Sequence, residues 1–163
     1  MLYQLSYLAT RESGILGFLN SMSTPGRLYS GLMNPCPFCE MAPGRIVTED
    51  GPCVAVSDRF PVSRGHHLIL PRRHVASFQD LTDEEWLAIH RLAKSLMQQM
   101  QRDDQAIQGF NLGINDGQAA GQTIFHAHVH LIPRRTGDVR RPRGGVRGVI
   151  PGKQDYPDGE IAS

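Results

Sequence analysis

The stretch GQTIFHAHVHLIPR, residues 121–134, decides how the rest of the chain is read. From Thr123 to Ile132 apolar and polar residues alternate, which predicts a strand of period two, and Pro133 is expected to end it because proline cannot donate to a sheet ladder. On such a strand His126, His128 and His130 share one face, while Ala127, Val129 and Leu131 take the other. Three uses of the histidine face compete. It could be a solvated polar surface, a metal site, or a reactive array. Binding of all three to one ion is disfavoured, because His126 and His130 stand roughly 13 Å apart along a strand that rises about 3.3 Å per residue. A nucleophile with helpers beside it fits better. Imidazole titrates near about 6.5 and is available for attack at neutral pH, and its bond to phosphorus is labile, so one hard displacement becomes two easier ones. The flanking His130 can donate hydrogen bonds to phosphate oxygens.

Working outward, FNLGIN (110–115) alternates through Phe110, Leu112 and Ile114 and predicts another strand. Before it, Thr82 and Glu85 form a capping box ahead of Trp86, Ile89, Ala93, Leu96, Met97 and Met100 at helical spacing, so one amphipathic helix is expected. HHLIL (66–70) reads as a third strand. RIVT (45–48) and CVAVS (53–57) flank the turn residues Glu49-Asp50-Gly51-Pro52, a hairpin signal. Strands, then a helix, then strands predict an α+β domain with about five strands in a mainly antiparallel sheet. The body of that domain is placed at residues 35–138. Residues 1–34 read as an appendage, and residues 139–163 as an Arg/Gly/Pro-rich tail, with loop expected from Arg134 onward.

The 163 residues are 40% hydrophobic with a formal net charge of +1. That suits one core of ordinary size and gives no global polycation of the kind a dedicated nucleic-acid binder carries. Three cysteines cannot all pair, and Cys36 and Cys39 stand at C-x-x-C spacing, which by itself suits a redox pair, half a metal site or chance. A cytoplasmic, reducing location is expected, with no signal peptide and no run near the roughly 18 apolar residues that cross a membrane. Cys53, within an apolar strand, reads as core.

Together with Asn115-Asp116-Gly117, Gly65-His66-His67-Leu68-Ile69-Leu70-Pro71, His74 and Cys36-Pro37-Phe38-Cys39, the opening stretch resembles the histidine-triad (HIT) superfamily over roughly residues 35–138. It is similar to the zinc-containing bacterial members and to the dinucleoside polyphosphate hydrolase branch, toward which Pro133-Arg134 and Gly137-Asp138 lean. The resemblance implies a HIT-like fold with shorter helical segments beside the long helix. It implies His128 as the nucleophile that forms a nucleotidyl intermediate, with His130 and His66 assisting. Gly121, Gln122 and Thr123 then lie where the family approaches phosphate, Asn115 where it contacts the nucleotide, and Asp58 where it accepts from ribose hydroxyls. Arg59 departs from the apolar residue of many relatives, and the register chooses His66 over His67. Zinc-bearing members would complete a tetrahedron from Cys36, Cys39, His74 and His126, a structural site with no open position; a metal-free hydrogen-bonded cluster is the alternative. No catalytic cofactor is expected, and a homodimer is implied.

The tail arginines, Arg134, Arg135, Arg140, Arg141, Arg143 and Arg147, invite two readings: a grip on a polyphosphate, or a solvated basic loop. The function that follows is a nucleotide hydrolase or nucleotidyl transferase acting at an α-phosphate, with a dinucleoside polyphosphate as the first substrate considered. A nucleoside phosphoramidase, a nucleotide-binding regulatory module and a zinc hydrolase are the competitors.

Overall fold

The computed structural model describes residues 36–156; the appendage expected over residues 1–34 and the last seven residues of the tail lie outside the described residues. Five strands form one sheet: β1 (Ile46–Asp50), β2 (Cys53–Ser57), β3 (His67–Pro71), β4 (Ile107–Ile114) and β5 (Val129–Arg135). The spatial order is β1-β2-β3-β5-β4, and every neighbouring pair is antiparallel. One helix, α1 (Asp83–Asp103), leads from β3 to the edge strand β4, leaving the slot between them for β5. The α+β, mainly antiparallel architecture is thus as the sequence predicts. Among the described residues there are four short 3-10 turns, Pro43–Arg45 before β1, Phe78–Asp80 and Gln118–Ala120 between elements, and Gly145–Val149 after β5.

The capping box forms as read: the Glu85 amide donates to Thr82 Oγ1 at 3.2 Å, and the Thr82 amide donates to Glu85 Oε2 at 2.8 Å. Glu85 is itself buried, and Arg73 satisfies it with two further bonds, at 3.1 and 2.8 Å. This arrangement fastens the start of α1 to the loop after β3. Ala88, Ile89, Leu92, Ala93 and Leu96 then bury one face of α1 against Cys53, Ala55, Ile69, Val129 and Leu131. Each large side chain so buried contributes about 1.5–3 kcal/mol. Trp86 lies at the rim, exposed but packed against Phe78 with ring centroids 4.9 Å apart. The opposite sheet face carries Val54, Val56, Leu68 and Leu70 under Phe38.

The last strand differs from its reading at both ends. It begins at Val129, because β3 pairs with β5 only over His67–Ile69, and upstream the Ala127 amide donates to the Val75 carbonyl at 2.7 Å instead of to a strand. The alternation of faces survives: Ala127, Val129 and Leu131 join the core under α1. Pro133 does not end the strand; it pairs with Phe110, and β5 continues to Arg135. The Pro133 carbonyl accepts from Ser63 Oγ at 2.8 Å, on the side away from β4. A strand residue's N and O point the same way, so the N–H that proline lacks would have faced a flank where β3 has already stopped pairing, and no ladder bond is lost. Arg134 and Arg135 therefore belong to a strand and not to the loop expected there.

Candidate active site

Antiparallel pairing of Leu68 with His130 puts both on the face opposite α1, and that face carries the chemistry. His66 precedes β3, and its carbonyl accepts from the Asp58 amide at 3.0 Å, closing the loop between them. Gly65 makes the bend with φ +90, where a Cβ would also come within 3.3 Å of Pro133. Asp58 accepts from the Phe60 amide through Oδ1 at 2.9 Å and sets Oδ2 3.2 Å from His66 Nδ1. The Val62 amide donates to the same His66 Nδ1, at 3.4 Å. The nearer, charged carboxylate outweighs that longer contact in choosing the tautomer, since a lone pair on Nδ1 would face the lone pairs of Oδ2. In the tautomer that turns Nδ1–H to Asp58, His66 Nε2 accepts from His130 Nδ1–H at 3.0 Å, and His130 Nε2 keeps a lone pair. The chain Asp58–His66–His130 is a relay that can take up a proton at one end and balance it with a carboxylate at the other.

His128 is buried, with its ring centroid 5.1 Å from that of His130. Its Nδ1–H donates to the His126 carbonyl at 2.7 Å, which assigns the proton to Nδ1 and leaves Nε2 unprotonated. Phe38 meets both His126 and His128 edge-on, at centroid distances of 5.6 and 5.2 Å. It is a contact the sequence reading passed over, although Phe38 lies inside the quoted C-P-F-C motif.

Burial lowers the pKa of His66 against the opposing pull of Asp58, and burial followed by His128 and His66 pushes His130 down to about 4. An unfolded chain protonates these side chains near about 6.5, so below that pH the unfolded state binds more protons than the folded one. The contribution of His130 to stability is therefore complete above about pH 6.5, declines as the pH falls, and is gone below about 4, and that of His66 declines in the same direction. Urea unfolding midpoints should drop between about pH 6.5 and 4, more steeply in the wild type than in His130→Gln. Equal slopes for the two proteins would overturn that assignment.

Cys36, Cys39, His74 and His126 converge with their ligand atoms all within 4.8 Å of one another. The Cys36 and Cys39 sulfurs lie 3.5 and 3.6 Å from His126 Nδ1, and Cys39 Sγ lies 3.3 Å from His74 Nδ1. Ligands at zinc distances in a tetrahedron are separated by about 3.3–3.8 Å, so the donor set fits that ion. His126 Nε2–H donates to the Pro71 carbonyl at 2.8 Å, which turns the Nδ1 lone pair toward the cysteines, and burial lowers its pKa, keeping the ring neutral as a ligand must be. Burial, with Cys36 beside it, pushes the Cys39 thiol up.

A cleft of about 700 Å³ opens at the relay. Asp58, His66, Asn115 and His130 line it, along with Phe60, Val62 and Ile132, whereas His128 is not among its lining side chains. Gly121, Gln122 and Thr123 do not line it. The Gln122 amide is fully engaged as a loop brace, donating to the carbonyls of Ala76 (2.7 Å) and Ile124 (3.2 Å) and accepting from the Gly117 amide (2.8 Å). His67 faces away from the relay, its Nδ1–H donating to the Gly65 carbonyl at 2.6 Å. A second hollow of about 430 Å³, between α1 and β4, is lined chiefly by apolar side chains such as Trp86, Met97, Leu112 and Ile114, and the triad chemistry lies outside it.

A family model described as HIT domain matches residues 40–137. The chain is 35% identical over 117 residues to a protein named adenylylsulfatase HINT3 from Arabidopsis thaliana, covering 67% of this chain and 57% of that one. Among solved structures it is similar to a Zn-bound histidine triad family protein from Mycobacterium smegmatis, with 33% identity and a TM-score of 0.59 over 64% of this chain and 78% of that one. It is also similar to the diadenosine triphosphate hydrolase of Plasmodium falciparum, with 27% identity and a TM-score of 0.55 over 62% of this chain and 68% of that one.

Proposed function

Since the chain belongs to the HIT-domain family, whose members are typically nucleotide hydrolases or transferases, we propose that it cleaves nucleotides at the α-phosphate through a covalent intermediate on His128. The observation that carries this is the hydrogen bond from His128 Nδ1 to the His126 carbonyl, which leaves Nε2 as the attacking atom beside the relay. Nε2 forms a bond to the α-phosphorus as the bond to the leaving group breaks, and that group departs with the electron pair. Water then attacks the same phosphorus, the N–P bond breaks back to His128, and His130 Nε2 accepts the proton that water gives up, with Asp58 balancing the charge through His66. Attack by another acceptor in place of water makes the protein a transferase.

Cys36, Cys39, His74 and His126 would hold a zinc ion, which would supply a structural cross-link and, with four protein ligands, no catalytic water. The cytoplasmic location and the homodimer are part of the same proposal. The apolar hollow between α1 and β4 supports a protein contact on that side.

Likeness to the Plasmodium hydrolase favours a dinucleoside polyphosphate as substrate. A different leaving group is the second reading. It is supported by the name of the Arabidopsis relative and by the cleft lining, where Arg134 is the one arginine of the segment 134–147. Purified protein is to be incubated in parallel with a dinucleoside polyphosphate, a nucleoside phosphoramidate and adenylyl sulfate, with nucleoside monophosphate release followed by chromatography. Fastest release from the first is expected, while release from none would replace the enzyme with a nucleotide-binding module.

A further inference from the structure

The segment 139–156 lies beyond the residues that match the family, yet Gly145, Val146 and Val149 complete the wall of the histidine cleft. The segment is internally braced. Gln154 Nε2 donates to the carbonyls of Arg141 and Arg143 at 2.9 and 3.1 Å, and Arg147 Nε donates to the Lys153 carbonyl at 3.1 Å. Arg143 and Arg147 lie over the Tyr156 ring at 5.5 and 4.5 Å, and Arg141 pairs with Asp155 at 3.4 Å. Gly144 sits at φ +70, where a Cβ would fall 1.9 Å from the Gln154 carbonyl oxygen, so the closure of this loop on itself requires glycine. Gly145 is seated against β4, its Cβ position 3.7 Å from Asn111 Nδ2. In turn Asn111 accepts from Arg134, which Asp138 holds through two bonds of 2.8 Å.

Arg141, Arg143 and Arg147 are thus engaged within the tail, and what the tail turns to the cleft is apolar. Val146 and Val149 are 64% and 76% exposed, and on the same cleft Phe60 and Val62 are 82% and 73% exposed. Such side chains lose water to a flat apolar ligand group and gain nothing from a polyphosphate. We propose that the tail turn Gly145–Val149 forms one wall of a nucleobase slot, with Val146 and Val149 as specificity-determining residues, and that Arg141, Arg143 and Arg147 brace this wall without gripping phosphate. The proposal rests on the reading that the cleft takes a nucleotide.

Titration calorimetry on the full chain separates the two. The ligands are adenosine 5′-monophosphate and ribose 5-phosphate, which share the phosphate and the sugar and differ in the base. The proteins are wild type, a Val146→Ser/Val149→Ser double variant, and Gly144→Val, which unseats the turn by forcing Gln154 aside. The wild type should prefer the nucleotide by on the order of tenfold or more, and both variants should lose on the order of tenfold in nucleotide affinity while ribose 5-phosphate binding is unchanged. Unchanged nucleotide affinity in the two variants overturns the slot and leaves the nucleotide reading intact. An equal loss for both ligands also overturns the slot. A wild type that binds neither ligand overturns the nucleotide reading, and the slot with it.

Discussion

Replacing His128 by alanine is expected to lower turnover by on the order of a thousandfold or more, with no comparable loss of nucleotide affinity. The expectation rests on which nitrogens are free. His126 has its Nδ1 turned to the cysteines and its Nε2 on the Pro71 carbonyl, and His66 is held at both nitrogens by Asp58 and His130. His130 Nε2 retains a lone pair but stands at the end of the relay, so it is suited to proton transfer and its loss should cost less, about 10². Burst kinetics with acid-free quenching, followed by mass measurement of the protein, should find one nucleotidyl group on wild type and none on His128→Ala. Turnover retained in His128→Ala would remove the nucleophile from this position.

Changing Cys39 to serine should abolish zinc binding and lower the unfolding temperature by about 10 °C, a shift that corresponds to a few kcal/mol in a domain of this size. The wild type should contain about one zinc per chain by atomic absorption, and a chelator should reproduce the variant's unfolding temperature. The physical reason is that an ion at this site joins three pieces of chain distant in sequence: the turn at Cys36–Cys39, His74 after β3, and His126 before β5. Zinc-free wild type with a chelator-insensitive transition would leave four side chains held by hydrogen bonds alone.

The sheet, the helix with its cap and the identity of the clustered histidines were legible because each rests on a local pattern. The turn residues 49–52 between two short runs marked β1 and β2, period two marked β4, and the Thr82/Glu85 pair marked the start of α1 to the residue. The limits of β5 were not legible, since they depend on how far β3 runs beside it and on the Val75 carbonyl drawing Ala127 away, and both are tertiary facts. The same holds for Gln122. A polar residue in a glycine-flanked loop looks like a phosphate donor until Ala76 and Gly117 are seen at its amide. In the tail beyond residue 138, charge drew attention to the arginines, whereas Val146 and Val149 are the side chains that reach the cleft.

His126 meets the cysteine cluster through Nδ1, the Pro71 carbonyl through Nε2, and His128 through its own main-chain oxygen. A substitution at that one position removes the first two contacts and leaves the third to the placement of the backbone, so loss of activity in a His126 variant combines effects on metal, packing and the orientation of His128. It also sets a limit on redesign. Removing the ion while keeping the reaction requires a replacement that still presents the residue 126 carbonyl to the ring of His128, which makes backbone placement at this position, more than its side chain, the quantity a metal-free variant has to preserve.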